Sequence, residues 1–345
     1  MNLRNCCASS SLWLCALIAV TTLCSPAEGA DKMYPTLGKI ARLDPRLDAI
    51  VPKDARMERL ADGFEWSEGC VWNRQEKFLL FSDIPNNSIM KWTEKDGISL
   101  YMKPAGFTGV VDYGKEPGTN GLTYNSNGEL VACEHGDRRV SLLTHNGGKR
   151  TLVDNYMGKR LNSPNDLVFK SNGDLYFTDP PYGLPNGAED ERRELDFCGV
   201  YRLTPNKELT LLTKIMTRPN GLAFSPDEKI LYVAQSDPEA SIWRAFEMKA
   251  DGTFGKDRVF YDSTPMRKKY EKGLPDGMKV DAKGNLFATG PGGVLIFDPD
   301  GTLLGVLETG EATANCGWGD DGSTLYICAD MYLARIRLTT KGAGW

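Results

Sequence analysis

The sequence predicts an all-β protein, a six-bladed β-propeller of four-stranded antiparallel blades. Three observations predict it. A unit made of a polar residue, a short apolar strand, a Gly/Asn/Asp turn and a second strand recurs six times. Successive units start 39 to 56 residues apart, near the length of one propeller blade, roughly 40–50 residues. No convincing amphipathic helix interrupts them, so the sheets stack radially rather than under helices.

The first 30 residues read as an export signal. Arg4 gives a weakly positive start, Ser11 to Leu23 is an uncharged apolar stretch, and the small residues SPAEGA follow. The apolar run is short for a membrane span, which makes an uncleaved anchor the weaker reading. Cleavage after Ala27, Gly29 or Ala30 is compatible with the pattern. A periplasmic or secreted protein is therefore expected. Residues 31–54, with Pro35, Pro45 and Pro52, read as an extended lead-in, and 55–345 as the propeller.

The template unit lies at Leu161–Leu184. Asn165-Asp166 precedes the strand LVF, a Ser-Asn-Gly-Asp turn follows, and LYF runs into Asp179. In chain order the units open on Glu68, Asn120, Asn165, Asn220, Asp276 and Asn315, the first and last being the loosest copies. Their second strands are FLLFSD, LVACEH, LYFTD, LYVAQSD, LFATG and LYICAD. Third strands follow as SIMKWTE, RVSLLTH, GVYRLTP, SIWRAFEM, GVLIFDP and LARIRLTT, most ending in turn residues. A fourth, outer strand such as LTLLTKI completes most units. The chain stops too soon after the sixth unit for an outer strand there. Ala55–Leu60 is placed to supply it, so the N-terminal strand is expected to close the last blade.

Net charge is −5 in 345 residues, and no Lys/Arg block occurs. This argues against nucleic acid or an anionic membrane surface as a partner. Four of the nine cysteines fall in the leader. Cys70, Cys133, Cys198, Cys316 and Cys328 are widely spaced with no C-x-x-C, which describes neither a disulfide framework nor a zinc site. No G-x-S-x-G elbow or H-E-x-x-H is present.

The first strand of each blade lines a propeller's channel, so equivalent positions converge. Here they hold two carboxylates and four Asn side chains, which need partners in a narrow channel. Any one Asn-Gly pair is ordinary turn chemistry. Six aligned copies are not. Oxygen-only donors with two carboxylates suit a hard divalent cation, Ca²⁺ before Mg²⁺, with Zn²⁺ or Mn²⁺ as alternatives.

The motifs PNDLVF with LYFTDPPYG, EGCVW, RPNGLAFSPDEKILYVAQS and LPDGMKVDAKGNLFATGPGGV closely resemble the SMP-30/gluconolactonase family, in its bacterial gluconolactonase-like branch. The resemblance spans roughly residues 45–340. It implies a six-bladed propeller and a divalent metal held by Glu68, Asn220 and Asp276, with Asn165 as fourth ligand or substrate contact. Cys70 stands where the family usually has Pro. Ser163 stands where the senescence-marker branch has an Arg, so that branch's sugar contacts do not transfer.

Hydrolysis of a sugar lactone such as glucono-1,5-lactone is the reaction the resemblance implies. Asp276 is the first candidate for the base that activates water and His135 the second, an imidazole being a common base near neutral pH. Asn120, Asn165, Asp179 and Tyr182 are the candidate substrate contacts. Asp83, Glu134, Asp237 and Asp330, like Asp179, follow second strands and are candidates for the channel rim. His145 reads as a solvated turn residue. A phosphotriesterase of the diisopropylfluorophosphatase kind and a non-catalytic, metal-pinned propeller are the alternative readings.

Overall fold

In the computed structural model, which describes residues 33–345 apart from Asp112 and His145, six antiparallel sheets of four or five strands follow one another along the chain, with a two-stranded sheet of Asn155–Tyr156 and Lys159–Arg160 between the second and third. The expected export signal and the expected turn position of His145 lie outside the described residues. The first four sheets are laid down from the inside outward, while the last two each also take an outer strand from the N-terminal segment. Blade one runs Ser67–Asn73, Phe78–Asp83, Ser88–Thr93 and Gly97–Met102. The inner strands of blades two to six are Thr119–Tyr124, Leu167–Phe169, Pro219–Phe224, Met278–Val280 and Thr313–Gly319. Each packs against the next, and Thr313–Gly319 returns to Ser67–Asn73, which closes the ring.

The period of two explains the core. In LYF of blade three, Phe177 joins a cluster shared with blade two, while Tyr176 joins one shared with blade four. In LFA of blade five, Phe287 faces blade six, and Leu286 and Ala288 face blade four. Sheets covered on both faces need apolar side chains on both faces. Hence the second strands read as continuous apolar runs rather than alternating ones. One such cluster fills each of the six seams, the last joining Trp72, Phe81 and Trp92 to Tyr326, Cys328 and Leu333. The five described cysteines are all buried and unpaired.

The N-terminal closure is as expected, with Glu58–Ala61 pairing antiparallel to Tyr332–Arg337 as the outer strand of blade six. Arg335 secures it from a buried position, its Nε 2.8 Å from Glu58 Oε2. The lead-in differs from expectation. Lys39–Arg42 adds a fifth strand to blade five against Leu303–Glu308. A 3₁₀ turn at Pro45–Ala49 follows, capped by Asp44, and buries Leu47 completely. Pro35 and Pro52 flank these elements and Pro45 opens the 3₁₀ turn, so none of them breaks one. Gly38 makes the approach feasible: it has φ +58°, and a Cβ there would lie 1.8 Å from the Glu308 carbonyl oxygen.

Candidate functional site

The Asn-Gly and Asp-Gly pairs that open the units are not turns. Asn120-Gly121 and Asn220-Gly221 lie within inner strands, at places where the ladder to the second strand slips register. Glu68-Gly69 does the same. Such a bulge re-aims a side chain, here toward the axis. The glycine serves the next blade. A Cβ on Gly69 would sit 2.0 Å from the Asn120 carbonyl oxygen, and one on Gly221 would sit 2.3 Å from that of Asp276. Hydroxyls in the second strands hold these backbones. Ser82 Oγ donates to the Asn120 carbonyl and Thr178 Oγ1 to that of Asn220, each at 2.8 Å. The Ser or Thr in FSD and FTD was a legible signal that the unit-by-unit reading passed over.

Five of the six opening residues, Glu68, Asn120, Asn165, Asn220 and Asp276, line one cavity of about 360 Å³. The sixth does not. Asn315 instead donates its amide N–H to Glu68 Oε2 at 2.9 Å, and Gly69 N–H donates to the same oxygen at 2.7 Å. Asn315 therefore aims Glu68 rather than facing the axis.

Four oxygens in this cavity, Oδ1 of Asn120, Asn165, Asn220 and Asp276, are shielded from solvent and have no hydrogen-bond partner. Leaving a buried acceptor unmet costs about 1–3 kcal/mol. In two cases the amide nitrogen is engaged elsewhere. Asn220 Nδ2 donates to Ser236 Oγ at 2.9 Å, and Asn120 Nδ2 lies 3.4 Å from His135 Nε2. That leaves the oxygens for the cavity.

The charges point the same way. Burial pushes the Glu68 carboxyl up to about 8, against the Asn315 hydrogen bond that lowers it. Asp276 is pushed well above the usual carboxylate range by burial first, then by the negative charge of Glu68. Asp166, also buried, adds to the repulsion on both. Burial pulls the Lys279 amine down, but Asp166 and other neighbouring anionic groups push it up on balance. Two carboxylates and unmatched amide oxygens facing one space fit a hard cation. Among the described residues no three His, Cys, Asp or Glu side chains cluster as a metal site, so the amide oxygens would have to complete the shell.

The remaining expected residues divide. Tyr182 lines the cavity, its hydroxyl donating to the Ser236 carbonyl at 3.1 Å. Asp179 does not line it. Asp179 accepts the Asn162 backbone N–H at 2.8 Å, and burial pushes its carboxyl up to about 7. His135 is fully buried and meets the cavity only behind Asn120 and Glu116, a poor place from which to deprotonate a water. Of the rim candidates, Asp83 accepts the N–H of Glu65 and Trp66, Glu134 pairs with Arg139 and Lys149 of its own sheet, and Asp237 accepts from Thr217. Sequence reasoning missed Glu116 and Arg267, which line the cavity from interblade loops. Nothing in their local sequence marks them. A wider groove beside the site, about 650 Å³, is lined largely by paired lysines and glutamates and gathers no unmatched oxygens.

The fold and this ring of oxygens define a class: six-bladed propellers with an oxygen-lined polar site at the axis. The profile of the SMP-30/Gluconolactonase/LRE-like region matches residues 66–330, and the chain belongs to that family. It is 40% identical to a gluconolactonase of Zymomonas mobilis over 99% of both chains. The solved structure of a gluconolactonase from Xanthomonas campestris superposes with a TM-score of 0.76 at 32% identity, covering 90% of this chain and 99% of that one. A calcium-binding regucalcin of Agrobacterium tumefaciens aligns with a TM-score of 0.64 at 17% identity, covering 91% and 97%, a likeness that shows the fold alone.

Proposed function

We propose that the chain is a lactone-hydrolysing enzyme that opens a sugar lactone such as glucono-1,5-lactone to its aldonic acid, with a divalent cation, Ca²⁺ by preference, at the axis. The observation that carries this is the set of three unpartnered oxygens, Oδ1 of Asn165, Asn220 and Asp276, converging with Glu68 on one cavity. The near full-length likeness to a gluconolactonase supports the reaction class.

Glu68, Asn165, Asn220 and Asp276 would hold the cation. When bound, it would supply Lewis acidity to a carbonyl oxygen. Tyr182 and Trp66 shape the walls against which the lactone ring would lie. Water adds its oxygen to the carbonyl carbon and the acyl–oxygen bond of the ring breaks. Asp276 takes the water's proton, and the ring oxygen leaves as the hydroxyl after receiving one proton in return. Residues 1–30 support export, so the reaction is assigned to the periplasm or the exterior.

The test is hydrolysis of a lactone panel by chelated protein with Ca²⁺, Mg²⁺, Mn²⁺ or Zn²⁺ restored, and a fluorophosphate included. Cation-dependent opening of glucono-1,5-lactone supports the reading. Turnover of the fluorophosphate alone, or of neither class by the loaded protein, overturns it.

A further inference from the structure

His135 links two cavity-lining groups, Asn120 and Glu116. Its Nδ1 lies 3.3 Å from Glu116 Oε2 and has no hydrogen-bond partner, while its Nε2 lies 3.4 Å from Asn120 Nδ2. A neutral imidazole has one donor and one acceptor. With Asn120 donating to Nε2, the ring proton sits on Nδ1, the nitrogen nearer Glu116, where it makes no hydrogen bond of good geometry. The imidazole is clamped: a Cβ on Gly183 would lie 2.4 Å from His135 Cβ, and the Tyr113 hydroxyl donates to the His135 carbonyl at 3.4 Å. The consequence reaches the cavity. Asn120 is held with Oδ1 inward and unpartnered, and Glu116 is held at the wall with its carboxylate about one third exposed.

We propose that Glu116, His135 and Asn120 act as one unit that recognises the hydroxyl groups of the substrate, with His135 as the positioning residue. This rests on the lactonase reading and adds its specificity. The wall toward blade two presents two acceptors, a carboxylate and an amide oxygen. Acceptors lining a cavity reward a ligand that brings O–H donors, and a hydroxyl-free ring offers the buried Asn120 oxygen nothing. Sites built this way discriminate strongly against analogues lacking the hydroxyl. The unit therefore selects polyhydroxylated lactones over unsubstituted ones of the same ring size.

The experiment compares kcat/KM for glucono-1,5-lactone and δ-valerolactone in calcium-loaded wild type, E116Q, H135F and H135Q. Wild type favours the hydroxylated lactone. The ratio falls at least tenfold in E116Q and H135F, with the KM for glucono-1,5-lactone rising. It recovers to within about threefold of wild type in H135Q, whose amide oxygen replaces the acceptor at Nε2. Equal losses on both lactones, with the ratio unchanged, would show a purely structural role and overturn the proposal. So would a calcium affinity, measured by titration calorimetry, that drops more than tenfold in H135F, since Asn120 would then serve the cation. A wild type opening both lactones equally well sinks this proposal and leaves the lactonase reading standing. A wild type that opens neither sinks both.

Discussion

Replacing Glu68 by Gln should move stability in opposite directions with and without the cation. Glu68 is 1% exposed, and burial lifts its carboxyl from an ordinary 4.5 to about 8 in the metal-free protein. A carboxyl raised on folding holds its proton more tightly in the folded state. Its contribution is intact below about pH 4.5 and is lost as pH rises toward 8. The shift corresponds to about 5 kcal/mol for this group alone, or on the order of 10 °C in Tm for a chain of this size. Gln keeps the shape, cannot ionise, and escapes that loss. Scanning calorimetry of chelated wild type and E68Q at pH 5, 6, 7 and 8 isolates the term as the difference between the two. Wild type should fall relative to E68Q as pH rises. Restoring Ca²⁺ at pH 8 should then raise wild type by several degrees, since a cation at a thousand times its Kd contributes about 4 kcal/mol, and should raise E68Q far less. A wild-type minus E68Q difference that stays flat across this range, or equal calcium stabilisation of both proteins, would refute the reasoning.

Asp276→Asn should lower kcat at least a thousandfold in steady-state assays with saturating Ca²⁺ while leaving a folded protein by circular dichroism, because it removes the proposed proton acceptor. Gly221→Ala should destabilise by about 1–3 kcal/mol in denaturant titration, since its Cβ would lie 2.3 Å from the Asp276 carbonyl oxygen; a neutral result would restore the simple turn reading of Asn-Gly. Leu47→Ala should cost about 2–5 kcal/mol in the same titration, as Leu47 is wholly buried against blade five and the lead-in is part of the core. N-terminal sequencing of the exported protein should begin at residue 28, 30 or 31, and recovery of an intact leader would contradict export by cleavage.

The ring was legible because its repeat is chemical as well as periodic. A polar residue before LVF, LAF or MKV, followed by LYF or LFA, gives the inner strand, the turn and the second strand directly. Glu68, Asn165, Asn220 and Asp276 were found the same way, as equivalent positions of equivalent units, and they share one cavity. What stayed hidden depends on tertiary context. Asn315 occupies an equivalent position yet bonds Glu68, because its own bulge turns the amide toward blade one. Glu116 reaches the cavity from a connection of 16 residues between blades, 103–118, whose path no local pattern dictates. The lead-in was read as irregular because its prolines suggest a break. Strand pairing to an outer edge needs only four residues, Lys39–Arg42, and a glycine before them. His135 and Asp179 stand beside second strands in the sequence, but their polar atoms turn to neighbouring loops and to Asn120 rather than to the axis.

Anomalous diffraction from crystals grown with calcium would test the axial site most directly. A single strong peak is expected about 2.3–2.6 Å from oxygens of Glu68, Asn165, Asn220 and Asp276. A calcium-saturated crystal with that cavity free of anomalous density, or with the ion held by other residues, would contradict it.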